Sequence, residues 1–248
     1  GIYALFRVFT VVFTPDEFIK TVFVVLAVMT ILTGAFGAVI KNNIRRMFSY
    51  LIVCHIGFVI GGLGMYTKIA IMGAVFYLIH DIIVKTNLFL IAGLIRQLRG
   101  TMNMTKLGGI YAEYPKLSLL IAIVLFSLVG IPPLSGFWPK IYLIEAGFIG
   151  GHYVYVAGII AGSFITLIVI AKLWSEVFWK NASDDEIVVD SFKSLATKRK
   201  VLLVLPIAIL AFTTLCIGLN AEFIIRVADK IATEMVDTTP YVQAVLGK

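Results

Sequence analysis

The run from Leu117 to Ile149 holds 33 almost wholly apolar residues. As one straight helix it would be about 50 Å long, against a bilayer hydrocarbon core of about 30 Å. Gly130, Pro132, Pro133, Gly136 and Pro139 cluster at its middle. A proline removes a backbone donor and clashes with the carbonyl one turn earlier, so a continuous helix should fail there. The sequence therefore predicts a discontinuous membrane helix, with one half near 117–130 and the other near 135–149. Backbone groups freed at membrane depth are tolerated only against protein or a water-filled cavity. Lys140 lies in the second half, and a lysine at such depth is costly enough to mark an ion path by default. The plainer alternative is a proline kink used for packing, with Lys140 reaching back to an interface.

Apolar residues make up 60% of the 248, and the mean hydropathy is +1.00. A soluble domain of this size has no use for so much apolar surface. The expected fold is all-α and polytopic, with about seven membrane helices in a single membrane domain over 1–248. Cys54 and Cys216 lack metal or disulfide spacing. No phosphate loop, zinc site or catalytic triad is visible, so the chain is read as a transporter subunit rather than an enzyme, with no cofactor and no metal.

Apolar runs predict spans at 21–40, 47–66, 69–95, 153–171 and 201–221 around the broken helix. Residues 1–14 are too few to span, and the chain is expected to be N-terminally truncated and to begin inside a helix. Residues 180–200 form the one sizeable hydrophilic loop. In the tail, 222–248, Phe223, Val227, Ile231 and Met235 recur every four residues among charges, the pattern of an interfacial amphipathic helix.

Charge decides how often the broken helix crosses. With one crossing, the loops 41–46, 96–116 and 180–200 share a side and carry 12 basic residues against Lys20 and Lys68 opposite. With two crossings the split becomes 7 against 7. The positive-inside rule favours one crossing, a cytoplasmic location for the basic loops and an extracytoplasmic tail in the inner (plasma) membrane. The net charge of +7 is then topology information, and no nucleic-acid partner is expected.

The helix expected over 69–95 carries His80, Asp81 and Lys85. Asp81 and Lys85 are four apart and share a face. Paired or hydrated, they are tolerable at depth, and with His80 they form either a proton relay or an ion pair that joins two helices. His55 is as readily a satisfied core histidine as a relay member. Glu145, five residues past Lys140, is either a path exit or an interfacial charge. Lys172 and Glu176 are read as an interfacial pair.

Three stretches carry a family resemblance: Gly130–Phe137 followed by Lys140; Ile44–Tyr50 with His55–Phe58; and Phe76–His80 through Lys85–Leu90. They resemble the antiporter-like membrane subunits shared by respiratory complex I, membrane-bound hydrogenases and Mrp-type cation/proton antiporters. The third stretch and Leu173–Trp179 look most like the Mrp branch. The resemblance covers essentially the whole chain. It implies fourteen helices in two inverted five-helix repeats, with this chain running from within the eighth to the fourteenth. It further implies that Lys140 is the lysine of the discontinuous twelfth helix, on the outward half-channel, and Lys85 that of the eleventh. Where some relatives have a histidine one turn before that lysine, this chain has Asp81, with His80 adjacent. The family's acidic and basic residues of the fifth, seventh and eighth helices have no counterpart here and are expected upstream of Gly1.

The implied activity is Na⁺ efflux coupled to protons moving through a buried Lys/His/water axis, beside other membrane subunits of a hetero-oligomeric complex. The alternatives are a proton-pumping subunit of complex I (NADH-quinone oxidoreductase) or a hydrogenase, where the chain would be a translocase subunit, and a structural membrane scaffold.

Overall fold

The structure, a computed structural model, describes residues 1–181, 192, 195–239, 243, 244 and 247. Most of the loop 180–200 and part of the tail beyond 239 therefore lie outside the described residues. Helix α1 (Ile2–Arg7) runs into a π-helical turn, Val8–Val12. Five longer helices follow from the apolar runs: α2 (Glu17–Ile40), α3 (Ile44–Met65), α4 (Lys68–Arg99), α8 (Tyr153–Trp174, extended by the π turn Ser175–Trp179) and α9 (Thr197–Leu219). The short α5 (Ile110–Glu113) precedes the broken element, α6 (Pro115–Val129) and α7 (Phe137–Ile149), and α10 (Ala221–Val236) closes the order. The chain is a polytopic helical membrane protein.

Local chemistry sets the boundaries. The Asp16 carboxylate accepts from Ile19 N at 2.8 Å, Asn43 Oδ1 from Arg46 N at 3.2 Å, and Thr67 Oγ1 from Ala70 N at 3.2 Å, capping α2, α3 and α4. Gly130 ends α6 at φ +89°, a left-handed conformation that a side chain would oppose.

The two halves of the broken element run along opposite halves of α4. The first half packs with the C-terminal half of α4, where Ile121, Leu125 and Leu128 join Val84, Leu88 and Leu94. The second half packs with the N-terminal half of α4, where Leu143 and Ala146 join Ala70, Ala74 and Tyr77. The two apolar clusters lie towards opposite ends of the bundle. Between them, at mid-depth, sit His55, His80, Asp81, Lys85, Ser127, Ser135 and Lys140.

The break is covered by α9. Gly218 lies against the backbone of Pro133 and Leu134 with no space for a Cβ, and Trp138 Nε1 donates to Gly218 O at 2.9 Å. Gly130 N and Ile131 N bond Phe126 O near the end of α6, while Leu134 N bonds Ile131 O and Phe137 N bonds Leu134 O within the break, so these donors are paired in the apolar medium. Gly218→Ala should cost about 1 to 3 kcal/mol by overpacking, whereas Gly93, with nothing within 4 Å of an added Cβ, should accept alanine with no loss. Thermal unfolding of the two purified variants checks this. Equal midpoints would show that α9 does not brace the break.

One expectation is corrected. Lys172 does not pair with Glu176. Its ammonium donates to Val39 O and Asn42 Oδ1, both at 3.1 Å, while Glu176 pairs with Lys180 at 3.3 Å. The loop after α2 passes close enough to outcompete the neighbour on the same helix. Beside the stripe that begins at Phe223, α10 turns a face of small residues to the bundle. Ala221, Ala228 and Ala232 are buried, Ile231 and Met235 flank them, and Phe223 and Val227 point outward. The small alanines let α10 lie close to α4, and Lys68 Nζ, at the start of α4, pairs with Asp229 at 2.9 Å.

Candidate functional site

Three elements supply the mid-depth polar layer. From α4, successive turns present Tyr77, Asp81 and Lys85 at spacings of four, with His80 one residue off that line. From α3 comes His55. From the broken element come Ser127, Ser135 and Lys140.

His55 Nδ1 donates to Asp81 Oδ1 at 3.2 Å. A carboxylate only accepts, so this contact assigns the proton to Nδ1. Lys85 Nζ stands 3.7 Å from the same Asp81 oxygen. Asp81 thus joins a histidine of α3 to a lysine one turn along α4. Desolvating one unpaired charge is costly, and a carboxylate between two basic groups offsets that cost. The His55 ring stacks on Phe58 with centroids 5.3 Å apart and meets the Tyr77 ring at 5.7 Å.

His80 turns the other way. Its Nδ1 is 2.8 Å from Ser135 Oγ, which is 3.0 Å from Ser127 Oγ, so α4 is hydrogen-bonded to the middle of the break. All three side chains are fully buried.

Lys140 does not reach an interface. Only 6% of it is exposed, and its Nζ donates to Val129 O at 2.7 Å, on a carbonyl that the break leaves free at the end of α6. The ammonium also lies over the Phe58 ring, 5.6 Å from its centroid. A helix C-terminus favours a cation. Lys140, Gly130 and Ser163 line an open cavity of about 350 Å³ between the break and α8.

The structure thus brings His55, Asp81 and Lys85 into one group and His80 into contact with the break. It leaves Glu145 exposed on α7, off the buried side that carries Lys140. Ser127 and Ser135 were not singled out in the sequence, although each is a hydroxyl at membrane depth in an otherwise apolar stretch. No cluster of three or more His, Cys, Asp or Glu able to hold a metal occurs among the described residues. Several buried polar atoms have no hydrogen-bond partner among those residues, including His55 Nε2, His80 Nε2 and the Tyr77 hydroxyl.

The family profile described as "NADH:quinone oxidoreductase/Mrp antiporter, TM" matches residues 1–166. The chain belongs to that family. Among curated relatives, a Na⁺/H⁺ antiporter subunit of Alkalihalophilus pseudofirmus is 37% identical over 247 residues, 99% of this chain and 49% of that protein. The like-named Na⁺/H⁺ antiporter subunit of Bacillus subtilis is 33% identical over the same shares. The chain spans about half the length of these relatives. A chain in the Mrp complex of Dietzia sp. superposes with a TM-score of 0.87 at 27% identity, covering 99% of this chain and 52% of that one. A chain of respiratory complex I from Thermus thermophilus superposes with a TM-score of 0.77 at 21% identity, covering 96% of this chain and 49% of that one, a likeness of fold.

Proposed function

We propose that this chain forms part of a monovalent cation/proton antiporter subunit, and that its mid-depth polar layer carries protons exchanged for Na⁺. The observation that carries this reading is Lys140, buried on a free carbonyl at a helix break, in a chain whose relatives are named as Na⁺/H⁺ antiporter subunits. In the proposed path, Lys85, Asp81, His55 and His80 hold and release protons on α4 and α3, and Lys140 does so at the break. Each transfer alters the field at its neighbours, so the groups titrate as a coupled set. The subunit works beside other membrane subunits of a hetero-oligomeric complex. In everted vesicles containing the assembled complex with the full-length subunit, Na⁺ should collapse an imposed pH gradient. A gradient insensitive to every monovalent cation, and built instead by electron donors, would replace this reading with a redox-driven proton pump, the alternative that the complex I likeness supports.

The proposed orientation puts the 41–46, 96–116 and 180–200 loops in the cytoplasm of a plasma-membrane protein and α10 outside. Asn181 and Glu17 are exposed near opposite ends of the bundle. In a Cys216→Ser background, cysteine at Glu17 should react with an impermeant thiol reagent in intact cells, and cysteine at Asn181 only in everted vesicles. The reverse pattern would invert the topology.

A further inference from the structure

Ser135 Oγ lies between His80 Nδ1, at 2.8 Å, and Ser127 Oγ, at 3.0 Å. All three are fully buried. The imidazole is held from the other side too: a Cβ on Gly136 would fall 2.9 Å from its Cε1 and Nε2, and the Tyr77 ring meets it with centroids 5.6 Å apart. His80 Nε2 has no hydrogen-bond partner among the described residues. One ring nitrogen is therefore tied to a pair of hydroxyls, and the other is left to exchange protons.

We propose that Ser135 is a positioning residue that fixes His80 as the tautomer whose Nε2 exchanges protons, with Ser127 as its partner. The proposal rests on the proton-carrying reading of the polar layer. A hydroxyl is one donor and two acceptors, so Ser135 can accept from His80 Nδ1–H while it donates to Ser127 Oγ. Ser127 then directs its own hydrogen elsewhere, and a serine in a helix has its own backbone carbonyls within reach. The hydroxyl pair thereby holds the proton of the neutral ring on Nδ1 and leaves the Nε2 lone pair to take up the next one. When His80 carries both protons, Nδ1–H still donates to Ser135, and that bond is stronger because the donor is charged. No covalent bond to either serine forms or breaks, and the exchanged proton enters and leaves at Nε2. The titratable groups that share the field of His80 are Asp81 and Lys85 on α4 and Lys140 on α7, with Tyr77 and His55 in the same aromatic contact chain.

The test uses the full-length subunit in its assembled complex, reconstituted into proteoliposomes. Proton flux is driven in one arm by a Na⁺ gradient and in another by an imposed membrane potential. Ser135→Ala should lower turnover about tenfold, below the range for losing a proton-transfer group itself. It should leave the KM for Na⁺ unchanged and displace the pH profile of flux. Ser127→Ala should do the same to a smaller degree. The double variant should be no worse than Ser135→Ala, because the two hydroxyls act as one unit. A pH profile that keeps its shape, losses that multiply in the double variant, or failure of both single variants to assemble would overturn the proposal. Wild-type flux in the potential arm but not in the Na⁺ arm would sink the antiport reading alone, and the Ser135 effect would then be read in the potential arm. Silence in both arms would overturn both.

Discussion

Replacing Lys140 by alanine is expected to abolish cation-dependent proton exchange, a loss of at least about 100-fold, while the subunit still inserts and assembles. The ammonium is buried at a helix break, donates to Val129 O at 2.7 Å and lies over Phe58. Alanine removes a charge whose burial is costly and leaves one carbonyl facing a cavity of about 350 Å³, so the fold should tolerate the change. Arginine separates the two roles that the position can have. It keeps the positive charge and fits the end of α6 electrostatically, but it does not give up a proton under any working condition. If Lys140 carries protons, Lys140→Arg fails nearly as badly as Lys140→Ala. If it serves only as a fixed cation at the helix terminus, arginine restores function. Exchange rates in vesicles from cells expressing each variant, normalised to the amount of assembled complex, decide between them. Near-normal rates for both variants would remove Lys140 from the path.

What the sequence disclosed follows from the range of each interaction. The break was legible because Pro132 and Pro133 fall inside a run too long to cross as one straight helix, and no tertiary contact restores a missing amide. The Asp81–Lys85 pair was legible because four residues on a helix make neighbours. The partnership of His55 with Asp81 joins positions 26 apart, and that of His80 with Ser135 joins positions 55 apart. Both depend on how α3 and the break pack against α4, which no local spacing encodes. Lys172 shows the opposite error, where a good local partner, Glu176, lost to Asn42 across the bundle.

Asp81 offers the second large effect. It is the acidic group of the layer, and it serves two basic partners on different helices, His55 at 3.2 Å and Lys85 at 3.7 Å. Asp81→Ala leaves Lys85 buried without a counter-charge and His55 without the acceptor that assigns its proton. Breaking one side of a buried ion pair typically costs about 3 to 5 kcal/mol, much of it the penalty of the charge left behind. The expected result is a large drop in the thermal midpoint of the purified protein together with loss of exchange. The origin of that drop is itself testable. If the stranded ammonium causes it, then Asp81→Ala combined with Lys85→Ala should be more stable than Asp81→Ala alone, even though it has lost one more side chain. Exchange should not return in the double variant, because both carriers are gone. Asp81→Asn should fall between, since the amide oxygen still accepts from His55 but no longer balances Lys85. An Asp81→Ala protein as stable as the wild type would mean that the layer is hydrated well enough to solvate Lys85 without a partner. A double variant no more stable than the single would place the damage at His55, and the electrostatic account of the pair would have to be given up.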